Sequence, residues 1–148
     1  MVWGCMTARG VGVLRLCEGN LDSKGYIDII ANSVVPSGRA LTGCNQYYFQ
    51  QDGAPCHTSR LTMSWIEEQN LNLLPWAPQS PDLNPIEHLW NLIKAKLSNK
   101  RPSSREELWK LVQSEWYSVS PEDCRKRVHN MNKRVMQVLK ANGGNTSY

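Results

Sequence analysis

The amino-acid sequence predicts an α/β fold, a mixed sheet flanked by helices. Two observations carry that expectation. Short β-rich runs alternate with helix-patterned stretches in the first half, in the order hairpin, helix, strand, helix, strand. Helical patterns alone fill the second half. The 148 residues, 41% of them apolar, suit one domain with a real core, and no break in composition marks a second.

The elements follow in chain order. Val2–Met6 and Val11–Cys17 are β-rich and flank Thr7–Gly10, which reads as a hairpin turn. Residues 20–23 supply capping side chains for a helix over Lys24–Val35, with Tyr26, Ile27, Ile30, Ala31 and Val34 at helical spacing and Pro36–Gly38 as its stop. A strand follows over Gln46–Gln51, then a helix from His57–Ser59 with Leu61 and Trp65 on its buried face. Leu71–Trp76 is a short strand stopped by a proline-rich loop. Asn84 and Pro85 then open a helix ending near Ser98, with Ile86, Leu89, Trp90, Ile93 and Leu97 on one stripe. Ser104 and Glu107 have capping-box spacing before Leu108, Leu111, Val112 and Trp116. Ser120-Pro121 opens the last helix, whose Cys124, Val128, Met131, Val135 and Val138 recur at alternating steps of four and three along one face, before Gly143-Gly144 and a polar tail.

Charge is unevenly spread. Residues 1–93 carry five Lys/Arg against eight Asp/Glu, giving −3, while residues 94–148 carry twelve against five, giving +7. The basic half suits a polyanion such as nucleic acid, or simply a solvated helical surface. Five cysteines, odd in number and without Cys-x-x-Cys spacing, argue against a disulfide framework or a structural zinc site and indicate a reducing compartment. No apolar run approaches the ~20 residues of a membrane helix and no signal-peptide pattern follows Met1, so the expectation is a soluble, unprocessed chain with no membrane partner.

Two acids stand out. Asp52 ends the Gln46–Gln51 strand and is followed at once by Gly53, which presents its carboxylate at a sheet edge. Glu87 lies in the first turn of the Asn84-capped helix, with 34 residues between it and Asp52. Alone, Asp52 also fits an Asp-Gly turn and Glu87 a capping role. If the two converge, they could hold a hard divalent cation, magnesium or manganese, suited to phosphodiester chemistry. Cys56-His57 is a poor nucleophile and base pair, since sequence neighbours rarely align for that task. His88 is expected to face away from the apolar stripe in a surface role, and His129 has no acidic or cysteine company. Trp76 could stack on an unpaired base, or pack in the core.

The stretch Ser80-Pro-Asp-Leu-Asn-Pro-Ile-Glu-His-Leu-Trp90 is too particular to be explained by capping. Together with Gln50-Gln-Asp-Gly-Ala-Pro-Cys-His-Thr58, Val2–Thr7, Gly19–Asp22 and the tail Asn145–Tyr148, it resembles the DDE/D transposases of the Tc/mariner superfamily, and the 34-residue gap matches the Tc branch. The resemblance implies a ribonuclease H-like fold and three carboxylates binding two Mg2+ or Mn2+ ions. These ions would activate a water and then a DNA 3′-hydroxyl for cut-and-paste DNA cleavage and strand transfer. Asp52 and Glu87 would be the second and third acids, both metal ligands, with His57 and Asn84 in support.

In that family the first aspartate lies on a central first strand, upstream of the segment resembling Val2–Met6. The expectation is therefore residues 1–148 as a truncated catalytic domain lacking that strand and the N-terminal helix-turn-helix modules, and inactive alone. Asp22 and Asp28 are no replacements, one at a helix start and one within the helix. Loss of the strand would forfeit roughly 5 to 9 kcal/mol of burial, leaving the chain marginal in stability. The implied partner is DNA, transposon ends and target, met in the nucleus and contacted by Lys94, Lys96, Lys100, Arg101, Arg125 and Lys126, with Arg127, Lys133 and Arg134 nearby. The full-length parent could be a homodimer. The rival expectations are a non-catalytic DNA-binding module and a transposon-derived relic.

Overall fold

A computed structural model describes residues 1–44, 46–76 and 80–143. The tail Asn145–Tyr148 and Gly144 lie outside the described residues, as do the middle residues of the proline-rich loop. By internal contacts the chain forms two compact units. The first comprises Met1–Cys5 and Gly12–Ser80, the second Met6–Val11 and Pro81–Tyr148. No helix among the described residues is long and apolar enough to cross a membrane.

The chain opens with a hairpin of β1 (Val2–Thr7) and β2 (Gly10–Leu16). Met1 and Cys17 exchange both backbone hydrogen bonds at its open end, the signature of an antiparallel pair. Gly10 takes φ +148°, while Ala8 and Arg9 keep negative φ, so glycine absorbs the unusual backbone at the turn.

Within the first unit, Asp22 caps α1 (Ser23–Ile29) by accepting a 2.8 Å hydrogen bond from the Gly25 N–H. The expected stop at Pro36–Gly38 does not occur. The helix widens into a π-helical turn, Ile30–Val34, and continues as α2 (Val35–Thr42) until Gly43, whose φ of +72° ends it. Proline cannot donate the N–H that an unbroken α-helix requires, and the wider turn shifts the ladder at that place. Tyr26, Ile30 and Val34 still share one buried face, which with Phe49 and Ile66 forms the core of this unit.

The strand expected over Gln46–Gln51 narrows to β3 (Tyr48–Phe49), which pairs in parallel with β4 (Asn72–Leu73). Two helices link them, α3 (Pro55–Thr58) and α4 (Arg60–Glu68). Ser59, whose hydroxyl accepts from the Thr62 N–H, separates these helices and resets the phase. Consequently Thr62 and Ile66 are buried, Trp65 is half-buried and Leu61 is 50% exposed, contrary to the expectation that Leu61 faces the core. The sheet content of the described residues is thus one antiparallel and one parallel pair, in an α/β arrangement rich in helix.

The second unit is helical. A 3₁₀ turn (Pro81–Leu83) leads to α5 (Pro85–Leu97), then α6 (Arg105–Tyr117), α7 (Pro121–His129) and α8 (Met131–Lys140). The bounds of α5 and its Asn84 cap are those read from the sequence. Leu89, Ile93, Trp116, Val119 and Cys124 are buried, and the Trp90 and Trp116 rings stack at 4.8 Å. Ser104 caps α6, but the Glu107 carboxylate reaches Ser103 instead of completing a reciprocal box with Ser104. The single final helix expected from Ser120 breaks at Asn130. This turns Met131, Arg134 and Val138 inward and leaves Val135 exposed.

Candidate metal-binding carboxylates and basic surface

The Asp52 loop belongs to the first unit. Its carboxylate is 59% exposed, and Oδ1 accepts a 3.0 Å hydrogen bond from the Ala54 N–H, the Asx turn expected of an Asp-Gly pair. His57 adds a second hold. Its Nδ1 lies 2.7 Å from the same Oδ1, though off the direction of a ring hydrogen bond. Both contacts fall on Oδ1, so Oδ2 has no partner among the described residues.

His57 is itself fixed. Its ring stacks on Tyr26 with centroids 3.8 Å apart. The Tyr26 hydroxyl donates to Gln51 Oε1 at 2.9 Å, and Gln51 Nε2 donates to the His57 carbonyl at 3.0 Å. Burial, reinforced by the charge of Asp52, pushes the Tyr26 hydroxyl far above the ordinary tyrosine range, so it remains a donor. Burial likewise raises the Cys56 thiol, opposed in part by backbone hydrogen bonds. A thiol held protonated makes a poor nucleophile.

Glu87 belongs to the second unit. Asn84 Oδ1 accepts from the Ile86 N–H at 3.4 Å, and the Glu87 N–H donates to the Asn84 carbonyl at 3.2 Å. The Glu87 side chain does not reach back to cap. It is half-buried in the first helical turn, where the helix dipole favours negative charge, and its carboxylate has no hydrogen bond or ion pair among the described residues.

His88 departs from its expected surface role. It is half-buried, and burial, followed by the nearby charge of Arg134, lowers its pKa against a hydrogen bond with the Asp82 backbone. Arg134, expected in a surface cluster, is 4% exposed and donates from Nη1 to the Asp82 carbonyl at 3.1 Å. The repeat read from the sequence placed its neighbour Val135 inward instead, which hid that role.

The six residues expected at DNA divide. Lys94 and Arg101 are exposed and make no ion pair among the described residues. Lys96 and Lys100 share Glu115, at 3.3 and 3.5 Å, while Arg125 and Lys126 share Glu122, at 2.7 and 3.9 Å. Counting charges along the sequence left these pairings out. Trp76 is half-buried, and His129 is exposed.

The order of acids and the α/β scaffold define a class: residues 1–121 match the DDE superfamily endonucleases, and the chain belongs to that family. Within it, the chain is 36% identical to the transposase of transposable element Tcb1 from Caenorhabditis briggsae over 148 residues, all of this chain and 54% of that protein. It therefore spans about half the length of that relative. In three dimensions it matches the Mos1 transposase catalytic domain solved with raltegravir and Mg, with TM-score 0.86 and 23% identity, over 99% of this chain and 76% of that one. It also matches the Mos1 strand transfer complex, with TM-score 0.85 and 24% identity, over 99% and 43%. The fold is accordingly the ribonuclease H-like α/β fold of that catalytic domain.

Proposed function

We propose that this chain supplies two metal-binding carboxylates, Asp52 and Glu87, to a Tc/mariner-type transposase that cleaves and joins DNA. The observation that carries the reading is that the family match over residues 1–121 includes both acids, each with carboxylate oxygen uncommitted inside its own unit. Hard oxygen donors of this kind fit Mg2+ or Mn2+. The Mos1 catalytic domain was solved with Mg, which supports a divalent ion. Bound at these acids, such ions would polarise a phosphodiester and activate the attacking oxygen. A pair of ions is the finer part of this proposal.

The chain's own residues have separate tasks. The Ala54 N–H and His57 orient Asp52 through Oδ1 and leave Oδ2 open to a ligand. Asn84 fixes the first turn that carries Glu87. Lys94 and Arg101 offer uncommitted charge to phosphates, whereas Lys96, Lys100, Arg125 and Lys126 exchange an internal carboxylate for DNA. Transposon ends and target DNA are the proposed partners, the nucleus the proposed location, and a homodimer the proposed state of the full-length enzyme.

The test places this chain in the Tcb1 transposase in place of its matching segment and measures Mg2+-dependent nicking at the transposon ends. Nicking that disappears with Asp52→Asn and with Glu87→Gln supports the assignment. Nicking that persists in either variant rejects it.

A further inference from the structure

We infer that Tyr26 is a positioning residue for Asp52, holding the loop between Gln51 and His57 closed so that Oδ2 stays open to a cation. This rests on Asp52 being a metal ligand. An exposed aspartate next to glycine has rotamer and backbone freedom, and Gly53 has open space around it. A ligand that must meet a cation needs support that removes such freedom.

Tyr26 grips the loop at both ends. Its ring carries the His57 imidazole at 3.8 Å, with an interplanar angle of 26°. Its hydroxyl holds Gln51, the residue just before Asp52, and Gln51 in turn holds the His57 carbonyl. These contacts close a ring around residues 51–57 that is anchored in a side chain only 1% exposed. Since the His57 contact to Asp52 is poorly aligned, the placement of that imidazole depends on the stack beneath it. Core packing alone explains the buried ring but leaves the hydroxyl's partner a coincidence.

Tyr26→Phe separates the two roles, because it keeps the ring and removes the hydroxyl. Two readouts on the 148-residue chain follow, with circular dichroism confirming that the variant folds. The first needs no metal: exchange of the Ala54 amide proton with water, followed by NMR, is expected to quicken severalfold in Tyr26→Phe while the Ile30 amide is unchanged. The second is Mn2+ affinity by electron paramagnetic resonance. Tyr26→Phe is expected to weaken it about tenfold, the low end for outer-shell support, with no further loss when Asp52→Asn is already present. An unchanged Ala54 exchange rate, or the same tenfold loss in the Asp52→Asn background, overturns the inference. Quickened Ala54 exchange with Mn2+ affinity indifferent to Asp52→Asn upholds the positioning and overturns the metal assignment.

Discussion

Replacing Glu115 by glutamine changes one defined charge cluster by one unit. Lys96 and Lys100 sit 3.3 and 3.5 Å from the Glu115 carboxylate, and Lys96 also donates to the Ser118 hydroxyl. Against a desolvation that raises it, the two lysines hold the Glu115 carboxyl below the usual range, so it is ionised near neutral pH. The trio therefore carries net +1, and Glu115→Gln makes it +2. Each additional neutralised phosphate steepens the dependence of log K on log salt by about 0.9 for duplex DNA, so between 50 and 200 mM salt the variant loses about 3.5-fold more affinity than the parent. Fluorescence anisotropy with a labelled duplex measures both slopes. Glu67→Gln is the control, since it changes total charge equally on an exposed residue of the other unit. Equal slopes for Glu115→Gln and the parent would show that Lys96 and Lys100 do not face DNA.

Three further outcomes test the scaffold. Leu89→Ala, at a fully buried position on α5, is expected to cost about 2 to 5 kcal/mol in urea unfolding. Gly12→Ala is expected to cost about 1 to 3 kcal/mol, because a Cβ there would lie 2.5 Å from Cys5 Sγ and 2.8 Å from Ser37 Oγ, read as a lower thermal midpoint. Glu107→Gln reports on pH. Hydrogen bonds from the Ser103 hydroxyl and N–H lower the Glu107 pKa, so its contribution is present above the unfolded value and is lost as pH falls through the folded one. The difference in urea midpoint between parent and variant should accordingly shrink below about pH 4.5, the ordinary glutamate value.

Much of the second unit was legible because its signals are local. Asn84-Pro85, the apolar stripe and Ser98 fix α5 at both ends without reference to any distant residue. Pro36 misled because a proline stops an α-helix only where the ladder cannot shift, and the π turn shifts it. Leu61 misled because Ser59 starts a new helix, so counting from His57 put the wrong face inward. Asn130 did the same for Val135, and it brought a buried arginine to a place where an aliphatic residue was expected.

The candidate site divides along the same line. Asp52 and Glu87 stood out because their flanking motifs are contiguous. The Tyr26–Gln51–His57 brace joins residues up to 31 positions apart, and nothing in the local pattern distinguishes Tyr26 from any other buried helix residue. Glu115 was equally hidden, since it meets Lys96 and Lys100 only when α6 packs on α5, whereas Glu122 lies three and four residues before Arg125 and Lys126 on one helix and was legible from spacing alone.

The claim that Asp52 and Glu87 both ligate the reactive cation is tested most directly by exchanging their oxygen for sulfur. Asp52→Cys and Glu87→Cys, each in the Tcb1 chimaera, replace a hard donor by a soft one that Mg2+ binds poorly and Mn2+ or Cd2+ tolerates better. Each variant is expected to lose nicking in Mg2+ and to regain it with a thiophilic ion. Nicking that continues in Mg2+ after either substitution contradicts the claim.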